Sequence, residues 1–305
     1  LNQPAERSGQ PDCLCREGEA LDIAHEAEID ALLARLRAGS GDACLSDFAF
    51  SNLYLFRRAH AYRYLPGRYP CVAGLTYDGV RHLFPLFDLA AAPLPALRER
   101  LEGYDCFFPV AERAAQRLSP EQFMLAASPD DADYLYPAEN FRSYRGELLR
   151  KKRQLMQQLL DSAEVRAYPL TPARIEDASA VHACWLRDKG KAQGEADDAA
   201  CRDALQLFER FGLDGMVYYA RGEAIGFLLA QRLAPSLAVM RFAKGVDAYK
   251  GIYQYMFHQY CVARPDIAWI NFEQDLGLSN FRQTKRSYQP AAMLAKYRVR
   301  MRPEA

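Results

Sequence analysis

No window of the 305 residues resembles the run of roughly 20 uncharged apolar residues that a membrane-crossing helix needs. Charge of one sign is not in surplus either. The 39 lysines and arginines balance 39 aspartates and glutamates, which excludes a general nucleic-acid or membrane binder and leaves only a local basic patch open. The five histidines show no metal spacing, and HExxH, G-x-S-x-G, P-loop and dinucleotide fingerprints are missing, so metal, hydrolase and nucleotide-phosphate chemistry drop back. There is no CxxC. Of eight cysteines only Cys13 and Cys15 are close, as CLC, which fits neither a zinc knuckle nor a redox pair. Buried free thiols in a reducing cytoplasm are expected, not a disulfide framework.

What is present is the composition of an ordinary globular protein, half apolar and 26% charged, long enough for two domains of about 150 residues. Residues 1–19 are polar and unpatterned, start at Leu1, and read as a trimmed or disordered tail without a secretory signal. AHEAEIDALLARLRAG then places Ile29, Leu32, Leu33 and Leu36 at helical spacing and stops at Gly39. YPCVAGLTY and VRHLFPLFDL flank Asp78-Gly79 as a tight hairpin. The order repeats later: two helical stretches, TPARIEDASAVHACWLRDK and DDAACRDALQLFERFG, precede the hairpin MVYYA, Arg221-Gly222-Glu223, AIGFLLAQRL. The two turns lie about 144 residues apart, the mark of a tandem structural repeat. The expected units are residues 20–142, a linking basic helix over 143–165, and residues 166–305.

In the second unit the strand SLAVMRFA ends at Lys244-Gly245, and a helix is expected from near Asp247 through YKGIYQYMFHQYCVA. A strand running directly into a helix can aim several N–H groups at one point, which suits a phosphate or an oxyanion. Lys244 and Lys250 flank that junction, and Gly251 allows close backbone approach, unless it merely packs against the sheet. IAWINFE forms the next strand, and if it persists Glu273 and Asp275 share one face. They can take a proton from an attacking amine or hold a cationic group. Equally, Asp275 caps a turn and Glu273 pairs with an arginine. Arg282, Lys285 and Arg286 make one basic face of a short helix capped by Ser279 or Asn280, with Lys285 the expected ligand contact. In Arg150-Lys151-Lys152-Arg153, Lys152 and Arg153 turn toward a site between the units or else face water. Tyr288 is a candidate acid for a leaving group. Cys184 and Cys201 read as core positions.

Four stretches resemble one bacterial family. They are Ser51-Asn52-Leu53-Tyr54 with Arg57; Gly146-x5-Lys152-Arg153; Tyr249-Lys250-Gly251-Ile252-Tyr253-Gln254; and Asn271-x-Glu273-Gln274-Asp275-Leu276-Gly277 followed by Arg282, Lys285, Ser287, Tyr288, Pro290 and Lys296-Tyr297. The family is named for the C-terminal domain of phosphatidylglycerol lysyltransferase, and the resemblance covers nearly the whole chain after the tail. It implies an α+β protein of two tandem GCN5-related N-acetyltransferase-like domains, as in the Fem-type aminoacyltransferases, each a mixed, mainly antiparallel sheet flanked by helices. It also implies transfer of an aminoacyl group from aminoacyl-tRNA, while the wider superfamily uses acyl-CoA. Acetyl-CoA-binding members carry Q/R-x-x-G-x-G/A at the junction. Here KGVDAYKGIYQ stands there, with Gly245 and Gly251 too far apart.

The resulting expectation is a cytoplasmic acyltransferase without a tightly bound cofactor. Aminoacyl-tRNA is the first donor and acyl-CoA the second. The acceptor is the amine or hydroxyl of a small molecule, peptide or lipid head group. Glu273, Asp275 and Tyr288 stand as catalytic residues; Lys152, Arg153, Lys244, Gly245, Lys250, Gly251, Arg282 and Lys285 bind donor or substrate. A non-catalytic binding module on the same fold is the rival, and it requires Glu273 and Asp275 to be locked in salt bridges.

Overall fold

The computed structural model describes residues 18–194 and 197–303; Cys13, Cys15 and the expected tail through residue 17 lie outside the described residues. Elements are numbered in chain order. One seven-stranded sheet runs β1 (Glu19–Ala20), β2 (Arg63–Leu65), β3 (Cys71–Leu75), β4 (Arg81–Pro85), β5 (Cys106–Ala111), β14 (Lys296–Met301), β6 (Phe123–Ala127). A second runs β13 (Ala292–Leu294), β7 (Asp133–Pro137), β12 (Trp269–Asn271), β11 (Leu237–Gly245), β10 (Glu223–Ala234), β9 (Leu213–Ala220), β8 (Val165–Pro169). Only β4–β5 and β11–β12 pair in parallel, so both sheets are mixed and mainly antiparallel. Glu19 and Ala20 already pair with β2, which ends the tail earlier than expected.

Both hairpins form where the turn residues require them. Gly79 takes φ +81° and its N–H donates to the Thr76 carbonyl, closing β3 onto β4. Arg221 and Gly222 both have positive φ, the conformation that matches the twist of β9 and β10. Two strands cross the boundary expected at 143–165. Tyr134–Tyr136, placed before the link, lie in the second sheet, and Lys296–Met301, at the chain's far end, insert between β5 and β6 of the first. An apolar run shows that a strand will form; its partner is chosen by the tertiary fold.

The helices are α1 (Glu26–Ala38), α2 (Phe50–Leu55), α3 (Leu94–Leu101), α4 (Glu112–Ala115), α5 (Glu139–Ser143), α6 (Arg150–Ser162), α7 (Ile175–Asp188), α8 (Asp198–Gln206), α9 (Ile252–Val262) and α10 (Ser279–Arg286). None of the described helices is long and apolar enough to cross a membrane. The linking helix expected from Ser143 starts only at Arg150, as α6; α5 ends at Ser143, and the chain between them turns through Tyr144 and Gly146, both at positive φ. One face of the second sheet packs α5, α6 and α9 through Phe141, Leu159 and Met256. Its other face shares one core with α7 and α8 and with α1 and α2 of the first half, through Phe242, Val181, Ile29 and Phe50. Full burial of each such side chain contributes about 1.5–3 kcal/mol, so the halves are joined by a hydrophobic core and not by a linker alone. Leu97, Phe107 and Val299 fill a third core around α3 and α4. All six cysteines among the described residues are free thiols, five buried and Cys184 partly so.

Candidate functional site

The site begins where two parallel strands part. β11 and β12 pair over Leu237↔Trp269, Ala238↔Ile270 and Val239↔Asn271 and no further, leaving β11 from Met240 onward with an edge that β12 does not cover. A bulge falls at the same place: Ala230 opposes Met240 and Leu229 opposes Phe242, so Arg241 is the extra residue. Arg241 is buried, and its guanidinium donates to Glu273 Oε1 at 2.6 Å, to the Ser46 carbonyl at 2.8 Å and to Gln231 Oε1 at 2.9 Å. Gln231 Oε1 also accepts from Ser51 Oγ at 2.6 Å, which brings the first motif to the last.

β12 does not persist to Asp275, so the expected shared face of Glu273 and Asp275 does not exist. Asn271 Oδ1 accepts the Glu273 N–H at 2.7 Å, and Glu273 (φ +57°) and Leu276 (φ +55°) turn the chain out of the strand. This local side-chain bond outcompetes the ladder, as short polar side chains do at turns. Glu273 swings to Arg241 with about a fifth of its side chain exposed. Burial raises its carboxyl above the ordinary glutamate range against the lowering pull of Arg241. Its Oε2 is bonded to none of the described residues.

Beneath it sits Lys296, 1% exposed, its ammonium 2.6 Å from Asp47 and 2.8 Å from Asp133. Burial opposes this charge, but the two carboxylates outweigh it and raise the lysine above its usual value. Asp133 also accepts from the Ser46 N–H at 2.7 Å and Asn271 Nδ2 at 3.0 Å, and Gln274 Oε1 accepts from Lys296 at 2.6 Å. Four distant segments meet in this network. Arg241, Gln231, Asp47 and Asp133 escape the sequence reading, although a lone arginine inside the apolar run SLAVMRFA is a signal, since a buried charge needs a partner.

The other expected residues are brought to the same end of the sheet in different roles. Asp275 is fully buried between Tyr134 Oη at 2.6 Å, Arg282 Nε at 2.9 Å and the Gly277 N–H at 2.9 Å. Burial alone raises such a group, yet these donors hold its carboxyl at about 2. Arg282 also reaches Asp130 at 2.5 Å. Lys285, expected as an open ligand contact, donates to the carbonyls of Phe272, Glu273 and Gln274 at 2.6, 3.2 and 2.5 Å, and burial lowers it to about 8. It clasps the turn that aims Glu273. Neither Ser279 nor Asn280 caps α10; Leu278 is its N-cap, without a side-chain bond.

Tyr288 is buried, its hydroxyl accepting from Gln254 Nε2 at 2.8 Å and its ring 3.9 Å from Lys152 Nζ. Burial raises this phenol, and burial then Lys151 lower Lys152 to about 8. Arg153 donates to the Tyr144 carbonyl at 2.6 Å. Lys244 is buried, paired with Asp197 at 2.7 Å and lying 3.6 Å from the Trp185 ring, and it makes no bond to Glu273 or Lys285. The helix expected from Asp247 begins at Ile252, after Gly251 at φ +93°. A Cβ on Gly251 would lie 2.0 Å from the Leu155 carbonyl of α6, and one on Gly245 2.6 Å from Ile252, so both glycines serve close packing. Lys250 is exposed.

The model of the family described as phosphatidylglycerol lysyltransferase, C-terminal, matches residues 43–300. The chain belongs to this family. No curated protein sequence matches it. Among solved structures it is similar to a conserved protein of unknown function from Bacteroides thetaiotaomicron (TM-score 0.77, 21% identity, 93% of this chain and 99% of that one). It is also similar to the C-terminal domain of a putative lysylphosphatidylglycerol synthetase from Agrobacterium fabrum (0.62, 12%, 90% and 91%) and to L-PGS from Bacillus licheniformis (0.60, 11%, 94% and 94%). FemX superposes at 0.56 over 91% of this chain. These likenesses establish the fold: two tandem GCN5-related N-acetyltransferase-like units, as the two sheets already suggested. In this lysyltransferase-domain family member the first and last motifs converge on the Arg241–Glu273 turn.

Proposed function

We propose that the chain is an aminoacyltransferase that moves an aminoacyl group from aminoacyl-tRNA to an amine or hydroxyl by direct attack. The observation that carries this is Glu273. It is partly exposed at the parting of β11 and β12, its carboxyl raised by burial and one oxygen held by Arg241. The acceptor's nitrogen or oxygen bonds to the donor carbonyl carbon while the ester bond to the ribose oxygen breaks. The proton lost by the nucleophile passes to Glu273 Oε2 and then, directly or through water, to the leaving ribose hydroxyl. Charge developing on the carbonyl oxygen is met by N–H groups on the uncovered edge of β11. Lys285 and Asp275 are positioning residues, since one ties the turn and the other anchors it to Tyr134 and Arg282. Arg150, Lys151, Arg153 and Lys250 are exposed along α6 and at the start of α9, where they suit a polyanionic donor.

The test is loss of labelled amino acid from charged tRNA into acceptor, with acyl-CoA and release of its thiol as the parallel arm. Wild type is expected to accelerate transfer from tRNA, and Glu273→Gln to slow it by about 10²-fold or more while remaining folded at the assay temperature, as read by circular dichroism. Thiol release in place of tRNA deacylation makes acyl-CoA the donor; inertness toward both donors leaves the enzyme reading without support.

A further inference from the structure

A cavity of about 420 Å³, the size of a small-ligand site, lies between α1 and α2 on one side and residues 210–212 with the end of β10 on the other. Its lining carries both charges: Arg37, Arg210 and Arg232 together with Glu26 and Asp30. The apolar part of the lining is Leu233 with Phe50 and Phe211, whose ring centroids are 6.2 Å apart at 65°. Arg210 is half-exposed and bonds through Nε to Glu26 at 2.7 Å. Its terminal nitrogens bond none of the described residues, which leaves a donor fork matched to a carboxylate. Ser51 and Gln231 also line the cavity, and Gln231 Oε1 is 2.9 Å from the Arg241 nitrogen Nη2, whose neighbour Nη1 holds Glu273. The cavity therefore lies two hydrogen bonds from the proposed base.

We propose that this cavity binds the acceptor, and that the acceptor is a small zwitterion: a free amino acid or a short unblocked peptide. Its carboxylate sits on Arg210, and its amino end stays on the side of Glu26 and Asp30 until it is turned toward Glu273. A phosphate monoester fits worse, because Arg37 and Arg232 are already paired with Asp30 and Asp266, which leaves Arg210 to meet both of its negative charges. The role of acceptor rests on the transferase reading; the binding does not.

The experiment is thermal shift and titration calorimetry on the full chain, with free L-amino acids and glycylglycine as probes against their N-acetyl and C-amide forms, all at millimolar concentration. The expected result is a rise in melting temperature with at least one zwitterion that both blocked forms fail to give. Arg210→Gln and Glu26→Gln, at partly exposed positions, are each expected to weaken that probe about tenfold. No response to any zwitterion overturns the proposal, as does an equal response to the blocked forms or binding unchanged in both variants. Zwitterion binding without transfer from either donor overturns the transferase reading alone; Glu273-dependent transfer without zwitterion binding overturns this proposal alone.

Discussion

At the scale of single residues, two carboxylates two positions apart have opposite characters. Glu273 is raised by burial and keeps one oxygen unbonded among the described residues, whereas Asp275, although buried, is held at about 2 by Arg282, Tyr134 and the Gly277 N–H. A carboxyl depressed in the folded state stabilises the fold above its ordinary value of 3.8 and loses that contribution as pH falls toward 2. The difference corresponds to about 2 kcal/mol. Asp275→Asn is therefore expected to lose about that much stability at neutral pH, and to show a shallower decline in stability between pH 4 and 2, in chemical denaturation at a series of pH values. A decline as steep as wild type's contradicts the assignment. The sequence presents Glu273 and Asp275 as equivalent; their environments separate them, because the strand ends at Asn271, whose side chain takes the Glu273 N–H, and both carboxylates lie in the turn beyond it.

At the scale of elements, hairpins and long helices are legible because their signals are local. Asp78-Gly79 and Arg221-Gly222 need only the conformations of two residues. The start of α9 is different. Gly251 stands there because α6 crosses over it, with the Leu155 carbonyl where a side chain would be, and nothing in YKGIYQ announces that neighbour. Gly251→Ala combines a positive-φ penalty with a collision against backbone, and is expected to cost about 3 kcal/mol or more. The readout is a lower denaturation midpoint with an unchanged slope. A loss below about 1 kcal/mol would mean that α6 yields easily at this contact. The bulge at Arg241 is the converse case, an element-scale feature that alone turns a strand arginine toward Glu273.

At the scale of the molecule, the two units are interlocked. β14, the last strand, lies between β5 and β6 of the first sheet, and β7 lies inside the second. Lys296, at the start of β14, joins Asp47, Asp133 and Gln274 in one buried network. A fragment of residues 18–142 lacks the partner of β6 and leaves the inner edge of β5 bare. It is expected to be unfolded or aggregated alone and to be rescued by co-expression with residues 143–303, read by the dispersion of its amide NMR spectrum. A well-dispersed spectrum from the fragment alone would show that β14 is dispensable.

The sequence by itself determined the classes of element, the two hairpins, the tandem pattern and the motifs that mark the family, because propensity, periodicity and turn chemistry act over a few residues. Only the tertiary structure decided which sheet each terminal strand joins, which of two neighbouring carboxylates keeps an oxygen unbonded among the described residues, and that Lys285 clasps the turn after β12. Those outcomes depend on desolvation and on partners far along the chain, such as Arg241 for Glu273 and Tyr134 for Asp275. Spacing along a sequence carries no record of such distances.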